Sequence, residues 1–246
     1  MTKLSLTTFL YRSSVFIFTL FFILAMTAFW SSYYGHILSE PEWVIHFHGI
    51  TMILWCLMLI SQSLLIRLNK KRLHKFIGKT SYILVPLLIF SGFSLAHYTV
   101  KQRSPDYYVY DYLIALMFNA IIVFAILYGL AIYNRNKPAI HARYMLTTIF
   151  PLFTPVTDRI IYKYLDFLVS LAPVKHGIVM VPALGFALAN LLLIILIIWD
   201  WRANRQFKVF PVAFGITLLY HISVLYLYQF EWWQKTGSWI MKFPLS

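Results

Sequence analysis

Residues 44–66 read VIHFHGITMILWCLMLISQSLLI, and residues 67–79, directly after them, read RLNKKRLHKFIGK. The first segment runs for 23 residues without an aspartate, glutamate, lysine or arginine. A hydrocarbon core of roughly 30 Å is crossed by about 20 apolar residues in a helix, so this segment is long enough to span a bilayer. The second segment packs six lysines and arginines into 13 residues. Such basic turns accumulate on the cytoplasmic side of a membrane, which makes the pair a span followed by an inner loop.

The same alternation recurs along the chain. Candidate spans fall at 14–34, 44–66, 80–100, 111–133, 144–165, 177–199 and 209–230. The expectation is an all-α membrane protein, a bundle of about seven transmembrane helices forming a single domain over 1–246. Composition agrees, because 61% of residues are hydrophobic and only 12% charged, against about a quarter charged in soluble domains. The fifth span is interrupted by Pro151, Pro155, Asp158 and Arg159, and prolines four apart in a spanning helix predict a kink. The first apolar run follows Lys3 and Arg12 and lacks a small-residue cleavage site at its end, so it is expected to be a retained helix and not a signal peptide. The single cysteine, Cys56, excludes an intrachain disulfide.

Charge sets the expected orientation. With the N-terminus inside, the inner side holds 14 lysines and arginines and one acid, Asp200, while the outer side holds seven of each sign, giving 14 − 1 = +13 against 7 − 7 = 0. The N-terminus is therefore expected in the cytoplasm and the C-terminus outside, with Trp232, Trp233 and Trp239 anchoring the tail at the outer headgroups. The basic balance follows from insertion alone and calls for no nucleic acid partner.

Ionisable groups near membrane depth are costly, so the histidines are the candidates for chemistry. His36, His46, His48, His97 and His176 fall at or near outer ends, His74 and His141 at inner ends, and His221 inside the seventh span. His46 and His48 point about 200° apart on a helix. His48 is the one expected to face the bundle, because Met52, Trp55, Leu59 and Gln62 continue its stripe and Gly49 permits close approach. Asn119, Asp158 and Arg159 would add polarity to an outer pocket. A b-type haem needs two histidines at one depth with cations near its propionates. Lys75, Lys79 and Arg143 offer those cations at the inner layer, and Lys101, Arg103 and Arg159 at the outer.

The stretches HGITMILWCLMLISQSLLI, RLNKKRLHKFIGKTSYILV, KPAIHARYMLTT and TPVTDRI resemble an uncharacterised group of bacterial membrane proteins. In that group a helix opens on histidine, a basic turn holds H-[KR]-x-x-G and a later helix opens with H-x-R-x-M. The resemblance covers roughly residues 44–160. It aligns His46 or His48 with the opening histidine, His74 and Gly78 with the basic-turn motif, His141, Arg143 and Met145 with the later motif, and Arg159 with a following basic residue. The group is similar in layout to cytochrome b-561-type proteins, in which four helices hold two haems, one near each face. Here the fourth span contains no histidine, so an outer haem would draw on His97 or His176.

Three functions follow as expectations. The first is a b-type cytochrome of the bacterial inner membrane, carrying electrons between a quinol and an outer acceptor through haem b held by His46, His48, His74, His97 or His141, with Arg143 and Arg159 nearby. The second is a zinc or copper site of His46, His48, His97 and Asp158, able to hydrolyse a lipid-like substrate. The third is a non-enzymatic transporter, sensor or assembly protein. A light-driven pump is disfavoured, because the last span has no central lysine.

Overall fold

A computed structural model of the chain describes residues 6–103, 107–204 and 207–245. Lys3, Asp106 and Arg205, which enter the charge count above, lie outside the described residues. The helices are α1 (Leu6–Phe29), α2 (Trp43–Arg67), α3 (Lys71–Gly78), α4 (Ser81–Lys101), α5 (Tyr107–Tyr133), α6 (Pro138–Thr147), α7 (Phe153–Tyr164), α8 (Pro182–Asn204), α9 (Val209–Tyr226) and α10 (Glu231–Ile240). Between α7 and α8, β1 (Val174–Lys175) and β2 (Ile178–Val179) pair antiparallel, Val174 opposite Val179. Among the described residues six helices, α1, α2, α4, α5, α8 and α9, are long and apolar enough to cross a membrane. The chain is an integral, multi-pass helical membrane protein.

The packing order closes a ring: α1 on α2, α2 on α4, α4 on α5, α5 on α9, α9 on α8, α8 on α7, and α7 back on α1, with α6 against α5 and α9. Its polarity is the reverse of a water-soluble bundle. Leu20, Ile83, Phe90, Leu191 and Leu219 are exposed on the outside, whereas His97, Asp111, Arg143, Asp200, Thr217 and His221 are buried within. Only an apolar solvent makes that arrangement favourable, since it hides polar groups and leaves large apolar side chains uncovered.

The span from 144 to 165 departs from expectation: it is not one helix. α6 stops at Thr147, a 3₁₀ turn covers Phe150–Leu152, and α7 restarts at Phe153. Pro151 sits in the 3₁₀ turn and Pro155 in the first turn of α7, positions where a missing N–H breaks no helical bond. The carbonyls at the end of α6 are satisfied locally, because the Thr147 hydroxyl donates to the Tyr144 carbonyl at 2.8 Å and Thr148 to Met145 at 2.7 Å. The sixth span also shifts, starting at Pro182 and not 177. Its predicted first turn is the β1–β2 hairpin, whose bend uses His176 (φ 50°) and Gly177 (φ 77°), both in the left-handed region that tight hairpin turns require. α1 is already helical at Leu6, the first described residue and earlier than expected, because Arg12 lies exposed on the helix and does not end it.

Side-chain contacts define the two ends of the bundle. At one end the Thr7 hydroxyl of α1 donates to Asn204 of α8 at 3.3 Å. At the other, α10 lies against α5 and the residue after it reaches α4: the Trp233 indole donates to the Asp111 carbonyl at 3.2 Å, and His97 Nε2 donates to the Met241 carbonyl at 3.3 Å.

Candidate functional site

The expected outer layer separates into three unrelated environments. His46 uses both nitrogens on the loop before α2: Nε2–H donates to the Glu40 carbonyl at 2.9 Å, and Nδ1 accepts from the Tyr33 hydroxyl at 3.0 Å. The Tyr33 ring lies against Gly49, where a Cβ would stand 2.6 Å from Cε1. That glycine therefore admits a tyrosine and not a neighbouring helix. His48 turns inward to α4, its Nδ1 3.2 Å from Ser91 Oγ, which is itself 2.8 Å from Thr51 Oγ1. His97 is fully buried under the segment after α10. Asp158 belongs to α7 and its Oδ1 is buried without a hydrogen-bond partner. Among the described residues no group of three or more His, Cys, Asp or Glu side chains could hold a metal ion. The structure thus does not bring His46, His48, His97 and Asp158 together.

The inner histidines do meet. α3 carries His74 and packs on α2 and α4, whereas α6 carries His141 and packs on α5 and α9. Their ring centres lie 6.5 Å apart with planes at 78°. His141 Nδ1–H donates to the Ala131 carbonyl at 2.8 Å, so in the neutral ring Nε2 carries the lone pair. The Gln62 backbone faces His74, whose Nδ1 is buried with no hydrogen-bond partner. The His141 ring is thus oriented by one backbone bond, and each ring keeps one nitrogen uncommitted. That is how proteins commonly prepare an imidazole as a ligand. The Gln62 carboxamide, with neither Oε1 nor Nε2 bonded, lies beside them. A Cβ at Gly78 would stand 3.3 Å from its Oε1, so the motif glycine leaves room for that amide. The Ser81 hydroxyl donates to the Gly78 carbonyl at 2.6 Å and meets the Tyr128 hydroxyl at 2.8 Å, tying α4 to α5 just below. Burial, then the neighbouring His141, and Lys75, hold the His74 imidazole below its ordinary pKa against the opposing Gln62 bond, which favours the neutral, ligating form.

The two rings, 6.5 Å apart between centres, are the imidazoles that could hold a haem, which would ask the chain for two histidines. Lys75 and Lys79 are exposed beside the pair and suit propionates. Arg143 does not serve that purpose. Its Nε and Nη2 donate to the two oxygens of Asp200 at 2.8 and 2.7 Å, Nη2 also to Thr7 at 3.0 Å, and Nη1 to the Ala139 carbonyl at 2.8 Å. With side chains 3% and 2% exposed, this pair locks α6 to α8 and α1. Arg159 likewise is occupied, stacked 4.1 Å over the Phe29 ring and donating to the Pro155 carbonyl at 2.9 Å.

Two residues outside the expected site matter as much. Asp200 was detectable as the lone acid among 14 inner cations, the natural partner for one of them. His221 gave a weaker signal, a single imidazole in the middle of an apolar span. No protein-family model, curated protein or solved structure matches this chain.

Proposed function

We propose that the chain is a b-type electron carrier of a bacterial cytoplasmic membrane, holding haem b between His74 and His141 at the cytoplasmic end of the bundle. The single observation behind the reading is the paired imidazoles 6.5 Å apart, His141 oriented through Nδ1 and His74 with a buried, unpartnered Nδ1. Bound haem would supply one-electron redox chemistry. The chain's own work is to orient His141 through the Ala131 carbonyl, to keep His74 neutral by burial, and to present Lys75 and Lys79 to carboxylates. A membrane quinol is the natural donor for a carrier embedded in lipid.

The reading includes seven crossings, with the N-terminus in the cytoplasm and the C-terminus outside. It is supported by the Thr7–Asn204 and Arg143–Asp200 contacts, which join the start of α1 to the end of α8. The α6–α7 segment then has to cross the bilayer, broken as it is.

A reduced-minus-oxidised absorption spectrum of the detergent-solubilised protein tests the assignment. Wild type is expected to show a b-type band that His74→Ala and His141→Ala each abolish and His46→Ala leaves in place. A colourless wild-type protein sinks the reading. Transport is the second reading, favoured by the break at Pro151 within the bundle, since discontinuous helices mark transport sites. A colourless protein would shift the choice to it.

A further inference from the structure

The turn from α2 into α3 carries the densest charge in the molecule. Six cations, Arg67, Lys70, Lys71, Arg72, Lys75 and Lys79, fall within 13 residues, and no aspartate or glutamate occurs from residue 43 to residue 105. All six are exposed. Among the described residues the acid–base pairs lie elsewhere: Asp200 is taken by Arg143, and Glu231 by Lys235 on α10. Arg67 rests over the Phe16 ring of α1. Lys70, Lys71 and Arg72, together with Asn69 and Leu73, line an open groove of about 410 Å³. These cations crowd one another with no carboxylate of the chain to offset them, a repulsion that an external anion relieves.

Position in the fold fixes what lies against this surface. α2 ends at Arg67 and α4 begins at Ser81, both are spanning helices, and α3 packs on each of them. α3 therefore lies at the bilayer surface. At 100° per residue its side chains fall into three arcs. His74, Ile77 and Gly78 are the partly buried positions, with Gly78 against Gln62 of α2. Lys71, Arg72 and Lys75 form the arc beside them. Leu73 and Phe76 form the third, 42% and 73% exposed. A helix lying in the membrane interface shows this division, with apolar side chains among the upper acyl carbons and cations at the phosphates. Insertion alone accounts for positive charge in the loop. It does not account for the exposed apolar arc next to that charge.

We infer that Lys70, Lys71 and Arg72 form a docking surface for the headgroup of an anionic phospholipid, with Leu73 and Phe76 against its acyl chains. A phosphodiester that carries no amine brings the net negative charge the groove lacks, whereas a zwitterionic headgroup holds its own cation beside the phosphate and offsets little. Arg72 offers a planar fork to two phosphate oxygens, and the lysines act as point charges. Lys75 and Lys79, one and two turns beyond Lys71, are left for the carboxylates of the proposed haem. His74 sits on the same helix, so a lipid held here keeps α3 seated on α2 and α4. The surface needs only the spanning helices and does not depend on the cytochrome reading.

Electron paramagnetic resonance of the full chain in phosphatidylcholine vesicles with trace spin-labelled lipid tests it. The wild type is expected to retain labelled phosphatidylglycerol at least about threefold more strongly than labelled phosphatidylcholine, and the preference to shrink as salt rises. Joint replacement Lys70→Gln, Lys71→Gln and Arg72→Gln is expected to bring the two lipids to parity, whereas Lys70→Arg, Lys71→Arg and Arg72→Lys together keep the preference. Unchanged helical circular dichroism verifies the fold of each variant. Inorganic phosphate at matched ionic strength is expected to leave the labelled lipid in place. In the wild type, a photoactivatable phosphatidylglycerol is expected to attach within residues 67–79. Parity in the wild type overturns the proposal, and so does a preference that the glutamine variant retains. Displacement by inorganic phosphate, or attachment confined to other segments, overturns it equally.

Discussion

His74 and Arg143 show how differently two residues of neighbouring motifs are used. The His74 imidazole is held below its ordinary pKa, chiefly by burial and then by His141, so the unfolded chain binds its proton more readily than the folded one. Stability is therefore undiminished above roughly pH 6.5 and falls as the pH drops through the lowered folded value. Unfolding in mild detergent across that range is expected to show a loss that His74→Gln reduces. An identical slope in the variant would remove this role. For Arg143, either Arg143→Ala or Asp200→Asn is expected to cost about 3–5 kcal/mol, because the surviving partner is left buried and unpaired. Replacing both by leucine is expected to cost less than Arg143→Leu or Asp200→Leu alone, which a double-mutant cycle of these three variants reads directly. That His74 and His141 belong to the same end of the bundle was legible in the sequence, since it follows from position along a span. The azimuth was not, because it depends on which helix packs alongside. The two inner rings meet across α3 and α6, whereas His46 and His48 diverge to Tyr33 and Ser91.

Long apolar runs announce themselves, and α2, α4 and α9 start within a residue of expectation. Short elements do not. α3 and α10 are eight and ten residues long, too short for a span and recognisable only by one apolar face amid charge. The β1–β2 hairpin is apolar enough to pass for the start of α8, although His176 and Gly177 were the turn signal. α10 is also where a packing prediction is sharpest. A Cβ at Gly237 would stand 2.9 Å from both Asp111 Oδ1 and Ile114 Cδ1. Gly237→Leu is expected to lift α10 from α5 at a cost of about 1–3 kcal/mol, leaving the spanning helices intact. Trypsin should then cut faster at Lys235 and Lys242, and a tail no more sensitive than wild type would contradict the docking.

For the whole molecule the open quantity is parity. If the α6–α7 segment crosses the bilayer, the termini lie on opposite sides; if it returns, they share one. Charge does not decide between the two. Without the crossing, the cytoplasmic side would hold 16 lysines and arginines and three acids, the other side five of each, so the balance is again 16 − 3 = +13 against 5 − 5 = 0. Packing favours the crossing. Thr7 at the start of α1 meets Asn204 at the end of α8, while α10 reaches the Asp111 end of α5. A returning segment would assign the two partners of the buried 2.7 Å Arg143–Asp200 pair to opposite faces of the bilayer, so the proposed crossing accords better with that contact. A C-terminal alkaline phosphatase fusion, active only outside the cytoplasm, is accordingly expected to be active, and a fluorescent protein at the same position, which matures only inside, to be dark. The reverse pair of results would put both termini in the cytoplasm. It would make the broken segment re-entrant, and the end of α8 could then no longer share a membrane face with the start of α1.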